Sequence, residues 1–170
     1  MPPSSVIGQT PQLPFFAYGT LLPGQPNYGL WENRLTRRRP ALLPGGRLYD
    51  LGNFPMLVLH AQGQVIGLLV DVQPDSYTDL LAQLDALEGF DPDRPEESVY
   101  RRVPHTVHSA DGRAETAWVY VGRAEWVSGL SPLADGDWLR HSAEKMADMT
   151  RWWAAFGRNL LNQPAFFWTK

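Results

Sequence analysis

The sequence predicts an α+β protein: a small mixed β-barrel with helices packed around it, followed by a C-terminal amphipathic helix. Two observations carry this prediction. Five or six short strand candidates lie at about residues 13–18, 45–51, 55–60, 64–73, 99–109 and 114–122, and turn signals at Gln62-Gly63 and Asp111-Gly112 predict pairing among them. One principal interior helix is expected over 75–88, and many short strands with a single long helix suggest a small barrel. Residues 1–12, rich in Pro, Ser, Gly and Gln, read as a flexible leader. Residues 13–126 form the barrel domain, and 127–170 form an aromatic-rich helical extension expected to pack on it.

The first strand runs through Phe15-Phe16-Ala17-Tyr18 and stops at Gly19, and Gly24 follows after a short turn. Such a junction leaves several backbone N–H groups without ladder partners, and a residue lacking Cβ lets a ligand approach them. An ordinary strand followed by a Pro-Gly turn fits the same residues, and the pattern alone leaves both readings open.

The interior helix starts at Pro74, Asp75 and Ser76 and has a natural stop at Gly89. Taking about 100° per residue, Tyr77, Leu81, Leu84 and Leu87 share an arc of roughly 120°, and Glu88 falls inside it. Asp75 and Asp79 project from the other side, and Asp85 lies at the edge. A carboxylate on the buried face, at the negative end of the helix dipole, is disfavoured as an anion on both counts. Its pKa is expected to rise, and such a group exchanges protons near neutral pH. A frayed helix end, with Glu88 in solvent or paired with an arginine, is the other reading of the same residues.

In the extension, Asp137 is expected to cap a helix running to about Leu161. Trp138, Ser142, Met146, Met149, Trp153, Phe156 and Leu160 recur at three- and four-residue steps. With Trp152, Leu161, Phe166, Phe167 and Trp168 nearby, this is more apolar surface than a solitary helix leaves wet. The stripe is read as docking on the barrel. A homodimer contact and a cover for the active-site mouth are the alternatives. Basic residues are too sparse on its polar side for membrane-surface binding.

Several segments, taken in order, carry a resemblance. Tyr18-Gly19-Thr20-Leu21 is followed by Gly24-Gln25-Pro26-Asn27, then by Gly46-Arg47-Leu48-Tyr49-Asp50-Leu51-Gly52-Asn53-Phe54-Pro55 and Val65-Ile66-Gly67-Leu68-Leu69-Val70. Leu84-Asp85-Ala86-Leu87-Glu88-Gly89, Tyr100-Arg101-Arg102-Val103 and Ala117-Trp118-Val119-Tyr120 complete the series. The set, over about residues 13–123, resembles the γ-glutamylcyclotransferase-like family, which includes γ-glutamylamine cyclotransferases and plant AIG2-like proteins. The resemblance implies the same barrel fold, with Glu88 as the catalytic glutamate. It implies a γ-glutamyl substrate cyclised to 5-oxoproline with release of an amine or amino acid, and no cofactor or metal.

In that reading Glu88 is the general base and acid, and the backbone amides of Gly19, Thr20 and Leu21 hold the substrate carboxylate or the developing oxyanion. Tyr18, Tyr100 and Tyr120 are expected to wall the pocket. The chain departs from the family pattern at Leu22, where many relatives carry a basic residue, and at Tyr28, where histidine is frequent; both bear on leaving-group preference. A non-catalytic small-molecule binding or interaction module on the same fold is the competing class.

Composition sets outer bounds. At 170 residues, 44% hydrophobic and 12% aromatic, the chain is long enough for one domain with a sizeable core. The absence of cysteine removes disulfides and thiolate chemistry and fits a cytoplasmic setting. A net charge of −3 gives no footprint for nucleic acid, and no apolar run is long enough to span a membrane. His105 and His108 fall on opposite faces of a strand, which argues against shared metal ligation. Arg37-Arg38-Arg39 reads as a solvated basic run, and no nucleotide-binding or serine-hydrolase signature is present.

Overall fold

The computed structural model describes residues 10–161, apart from the side chains of Trp153 and residues 156–161. In chain order it contains β1 (Phe15–Ala17), β2 (Leu35–Asp50), β3 (Pro55–Val72), α1 (Tyr77–Leu87), β4 (Arg101–Ser109), β5 (Ala114–Val121) and α2 (Trp138–Leu161), with short 3-10 turns between them. The strands close into a barrel in the order β1-β3-β2-β4-β5. All neighbours are antiparallel except β1 and β5, which meet in parallel at Phe15 and Trp118.

Two strand assignments differ from the sequence reading. The segment 35–44 belongs to β2, because Arg39, Ala41 and Leu43 alternate onto a buried face that the three arginines and Pro40 conceal in the sequence. Gln62-Gly63 is not a hairpin turn, and β3 runs through it as one strand. The register steps there from Pro44↔Gln64 to Gly46↔Leu59, so extra residues of β3 bulge opposite Gly45. Both Gly45 (φ 75°) and Gly63 (φ 103°) take left-handed conformations that other residues resist. Such a bulge bends a strand, which is what a ribbon this long needs to wrap a barrel. Asp111-Gly112 does turn the β4–β5 hairpin, with Gly112 N–H donating to the Ser109 carbonyl at 2.8 Å.

Strand alternation divides the apolar residues into two sets. Leu43, Val65, Leu69, Val107, Ala117 and Val119 share one face and are fully buried. Phe15, Ala17, Met56, Val70, Trp118 and Tyr120 cluster on the other face with Tyr77, Leu80 and Leu84 of α1. Burial of β5 on both faces over 117–121 follows from this two-sided packing. Leu87, which the helical wheel placed inside, is 42% exposed, because α1 turns its last residue toward a cavity rather than the sheet.

Arg39 lies on the inward-facing row of β2, 9% exposed. It pairs with Asp71 of β3 and with both carboxylate oxygens of Glu115 of β5, at 3.1 and 3.0 Å. The basic run is therefore not simply solvated: its third member ties three strands together.

The described chain divides into two compact units between Asp137 and Trp138. Residues 127–137 hydrogen-bond to the barrel, Leu133 N–H to the Leu48 carbonyl at 2.7 Å and Ile66 N–H to the Gly136 carbonyl at 2.9 Å. The second unit contains α2, whose span agrees with the periodicity of the sequence. Most of the expected leader, and Phe166, Phe167 and Trp168, lie outside the described residues. Among the described residues, no helix is long and apolar enough to cross a membrane.

Arg39→Ala leaves two half-buried carboxylates facing each other without their cation. A loss of about 1–3 kcal/mol is expected, between the values for exposed and fully buried pairs. Urea unfolding reads it as a lower midpoint with an unchanged slope. A shift below about 0.5 kcal/mol would show that the pairs are effectively solvated.

Candidate active site

The C-terminal turn of α1 sets the geometry. Glu88 N–H donates to the Leu84 carbonyl at 2.9 Å, Gly89 N–H to Ala86 at 3.3 Å and Phe90 N–H to Asp85 at 2.8 Å. With Gly89 at φ 63°, this is a Schellman closure, and it satisfies carbonyls that a frayed end would leave open. Glu88 is thus fixed in backbone position at the end of the helix.

Two carboxylates one turn apart have opposite surroundings. Asp85 is buried and receives a bidentate pair from Arg102, Nε at 2.8 Å and Nη2 at 3.2 Å, together with the Tyr120 hydroxyl at 2.6 Å. The register makes Arg102 and Tyr120 cross-strand partners on β4 and β5, so both side chains reach the same face and the same acid. Arg102 also lies over the rings of Trp118 and Phe90, at 4.6 and 5.5 Å.

Glu88, by contrast, has no hydrogen bond or ion pair from its carboxylate to any described residue. Burial alone pushes it from its ordinary 4.5 up to about 7. Its charge is felt by Tyr18 and Tyr100, whose hydroxyls are pushed up, mainly by burial and further by Glu88.

The turn after β1 lines the same cavity as the end of α1. Leu22 N–H donates to Gly19 and Asn27 N–H to Thr20, at 3.0 and 2.9 Å, while the Asn27 side chain holds the Thr20 hydroxyl at 2.9 Å. Trp31 Nε1 holds the Leu21 carbonyl at 3.0 Å. The turn is therefore rigidly held through its carbonyls and side chains. The N–H groups of Gly19, Thr20 and Leu21 donate to nothing among the described residues. A Cβ at position 19 would stand 2.6 Å from the ring of Pro55, so glycine is required for this close approach.

A cavity of about 500 Å³ joins these parts, within the range that takes small molecules. Six of the seven residues nominated from sequence line it: Glu88, Tyr18, Gly19, Thr20, Leu21 and Tyr100. Tyr120 does not. It faces α1, gives its hydroxyl to Asp85, and accepts the Tyr18 hydroxyl on its carbonyl at 2.7 Å. It braces the wall from behind. Tyr100 similarly spends its hydroxyl on the Pro55 carbonyl at 3.0 Å.

The sequence reading missed Pro26, Asn27, Phe54, Pro55, Leu87 and Val99 as lining residues. The Gly24-Gln25-Pro26-Asn27 and Gly52-Asn53-Phe54-Pro55 segments were the available signals for four of them. A partly buried, near-neutral acid that shares a cavity with unpaired amide donors can move a proton at one point while negative charge is held at another.

Opposite stability effects are expected from the two acids. Asp85→Asn strands Arg102 in a partly buried site and is expected to cost about 3 kcal/mol in chemical denaturation. Glu88 binds its proton more tightly folded than unfolded. Its favourable contribution is complete below about 4.5 and lost as pH rises through about 7. Glu88→Gln removes the penalty for the anion and should stabilise the protein by up to about 3 kcal/mol at pH 8, with little change at pH 4. Thermal midpoints of both proteins across that range test this; a pH-independent difference would contradict it.

The family model described as gamma-glutamyl cyclotransferase, AIG2-like, matches residues 15–140. Among solved structures, an AIG2-like protein from mouse is 26% identical, with a TM-score of 0.55 over 74% of this chain and 88% of that one. A protein from Arabidopsis thaliana solved in solution shares 21% identity and a TM-score of 0.57, covering 95% and 94%. YkqA from Bacillus subtilis shares 20% identity with a TM-score of 0.59 over 79% of this chain, which spans 42% of that protein's length. The last two likenesses bear on the fold alone. No curated protein matches the chain by sequence. With the matched segment taking in the whole barrel, α1 and the cavity, the chain belongs to the gamma-glutamyl cyclotransferase, AIG2-like family.

Proposed function

We propose that the protein cyclises the γ-glutamyl group of a small molecule to 5-oxoproline, releasing the attached amine or amino acid, with Glu88 as general base and then general acid. The observation that carries this reading is the unpaired Glu88 carboxyl, held near neutrality, in the same cavity as the free N–H groups of Gly19, Thr20 and Leu21.

The chemistry fits that arrangement step by step. The substrate's α-ammonium gives a proton to the Glu88 carboxylate. The freed amine attacks the γ-carbonyl carbon, forming the ring C–N bond. The tetrahedral intermediate collapses by breaking the bond to the leaving nitrogen, which takes the proton held by Glu88; the ring nitrogen then passes its second proton through Glu88 to the released amine, which departs as the ammonium. Atoms and charge balance without any external reagent. Nucleophile and carbonyl belong to one molecule, so holding it folded supplies much of the rate. Three adjacent amide donors suit a carboxylate or an oxyanion. A base near 7 is half ionised at neutral pH, where taking and returning a proton are both accessible.

Incubation with γ-glutamyl compounds and detection of 5-oxoproline tests the activity. Activity should rise with pH through about 7 as Glu88 ionises. Glu88→Gln is expected to lower kcat by roughly 10²–10⁴-fold while leaving binding measurable by calorimetry. Unchanged turnover in that variant would remove Glu88 from the chemistry. Tight binding without turnover in the unaltered protein would favour the non-catalytic module.

A further inference from the structure

We propose that a second cavity, at the start of β4, binds a small oxyanion: the carboxylate or phosphate group of a ligand of metabolite size. The site stands independently of the cyclisation, because this cavity shares no lining residue with the one that holds Glu88. Val58, Leu59, Arg101, Val121, Arg123 and Glu125 are among its walls, and its volume is about 280 Å³. Drug-sized ligands occupy roughly 300–1,000 Å³, so this space suits a small acid.

Strand register brings the two arginines together. Arg101 opens β4 directly opposite Val121 of β5. Arg123 stands two residues beyond Val121 and keeps an extended backbone, with φ −100° and ψ 144°. Alternation therefore gives Val121 and Arg123 the same face, and Arg101 and Arg123 become diagonal neighbours within reach of one ligand. The same alternation sends Tyr100 to the first cavity and Arg101 to the second.

The two cations are engaged differently. Arg123 turns Nη2 toward the carbonyls of Pro95 and Glu96. Its nearest carboxylates, those of Glu96 and Glu125, are 3.9 Å away and largely exposed, too far to hydrogen-bond and weakened by water. Arg101 has no hydrogen bond or ion pair from its side chain to any described residue, and its Nε is buried. A buried guanidinium N–H without an acceptor is uncommon and costly. Arg39 also has an orphaned Nε, but its other nitrogens hold Asp71 and Glu115. Arg101 holds nothing. An oxyanion in the cavity supplies the missing acceptor, and paired guanidinium N–H groups match its oxygens. Val58 and Leu59, the latter 40% exposed, offer the ligand's carbon side an apolar wall. Glu125 lines the same cavity, so its charge opposes the ligand's.

The test is proton–nitrogen NMR of the full chain, titrated with inorganic phosphate or butyrate against sodium chloride at matched ionic strength. Saturable shifts of the Arg101 Nε–H and of the Gly122 and Ala124 amides are expected. Two charge-assisted hydrogen bonds correspond to a Kd on the order of 1 mM. A response to phosphate, to butyrate or to both supports the site and identifies its head group. Shifts no larger than those in chloride, or confined to Gly19, Thr20 and Leu21, overturn it. Arg101→Met removes a cation that has no partner, so the fold is expected to hold while Kd rises at least about tenfold. An unchanged Kd overturns the proposal. Glu125→Gln spares both arginines and is expected to tighten binding about two- to threefold. Equal or weaker binding in that variant also overturns it.

Discussion

The bidentate pair between Asp85 and Arg102 is the interaction on which the site depends. It joins the last turn of α1 to β4, and the Tyr120 hydroxyl extends the same joint to β5. A guanidinium fork and a carboxylate match in two places, so the joint resists rotation as well as separation. Contacts of the Arg102 guanidinium with the rings of Trp118 and Phe90 help to fix the fork. Glu88 is three residues beyond this anchor, and the Schellman closure allows it no freedom to fray. The helix end can therefore deliver a carboxylate to a place the carboxylate would not choose.

That unfavourable placement is what makes the group useful. A protein selected for stability alone would pair Glu88 or replace it, since a partly buried anion without a partner gives up part of its hydration for nothing. Here the compensating cation is spent one turn earlier, on Asp85. The same economy governs the tyrosines. Tyr18, Tyr100 and Tyr120 each donate a hydroxyl to a carbonyl or carboxylate that is not Glu88. Polar groups around the acid are satisfied among themselves, and the acid is left with the cavity.

How much of this was legible in the sequence follows from the range of each interaction. The α1 helix, its Gly89 stop and the strand-to-turn break at Gly19 are local, written in residues within a few positions of one another. Glu88 and the amide turn could therefore be named from sequence. The pairing of Asp85 with Arg102 spans the chain from helix to strand, and its assignment needs the β4–β5 register, which no local pattern encodes. Asp85 accordingly read as an edge residue and Tyr120 as a pocket wall. Arg39 failed in the same manner: flanked by Arg37, Arg38 and Pro40, its inward face becomes visible only when β2 is aligned with β3. The Gln62-Gly63 bulge shows the reverse error. Its glycine signals left-handed backbone correctly, but a bulge and a hairpin turn ask for the same residue.

The two halves of the site make sense only together. On one wall, three amide N–H groups lack acceptors; on the other, a carboxyl lacks donors. Each is a deficit of opposite sign, and direct contact between the walls would cancel both. The structure prevents that cancellation. Trp31 and Asn27 fasten the turn, Pro55 presses against Gly19, and the Asp85 joint holds α1 back. A molecule that supplies acceptors to one wall and an exchangeable proton to the other relieves both deficits at once. A γ-glutamyl group carries both functions, a carboxylate and an ammonium on the same α-carbon, so one compact headgroup meets both requirements. In the cyclisation proposed above, a zwitterionic head would meet what each wall lacks, and the apolar mouth would take the rest of the molecule.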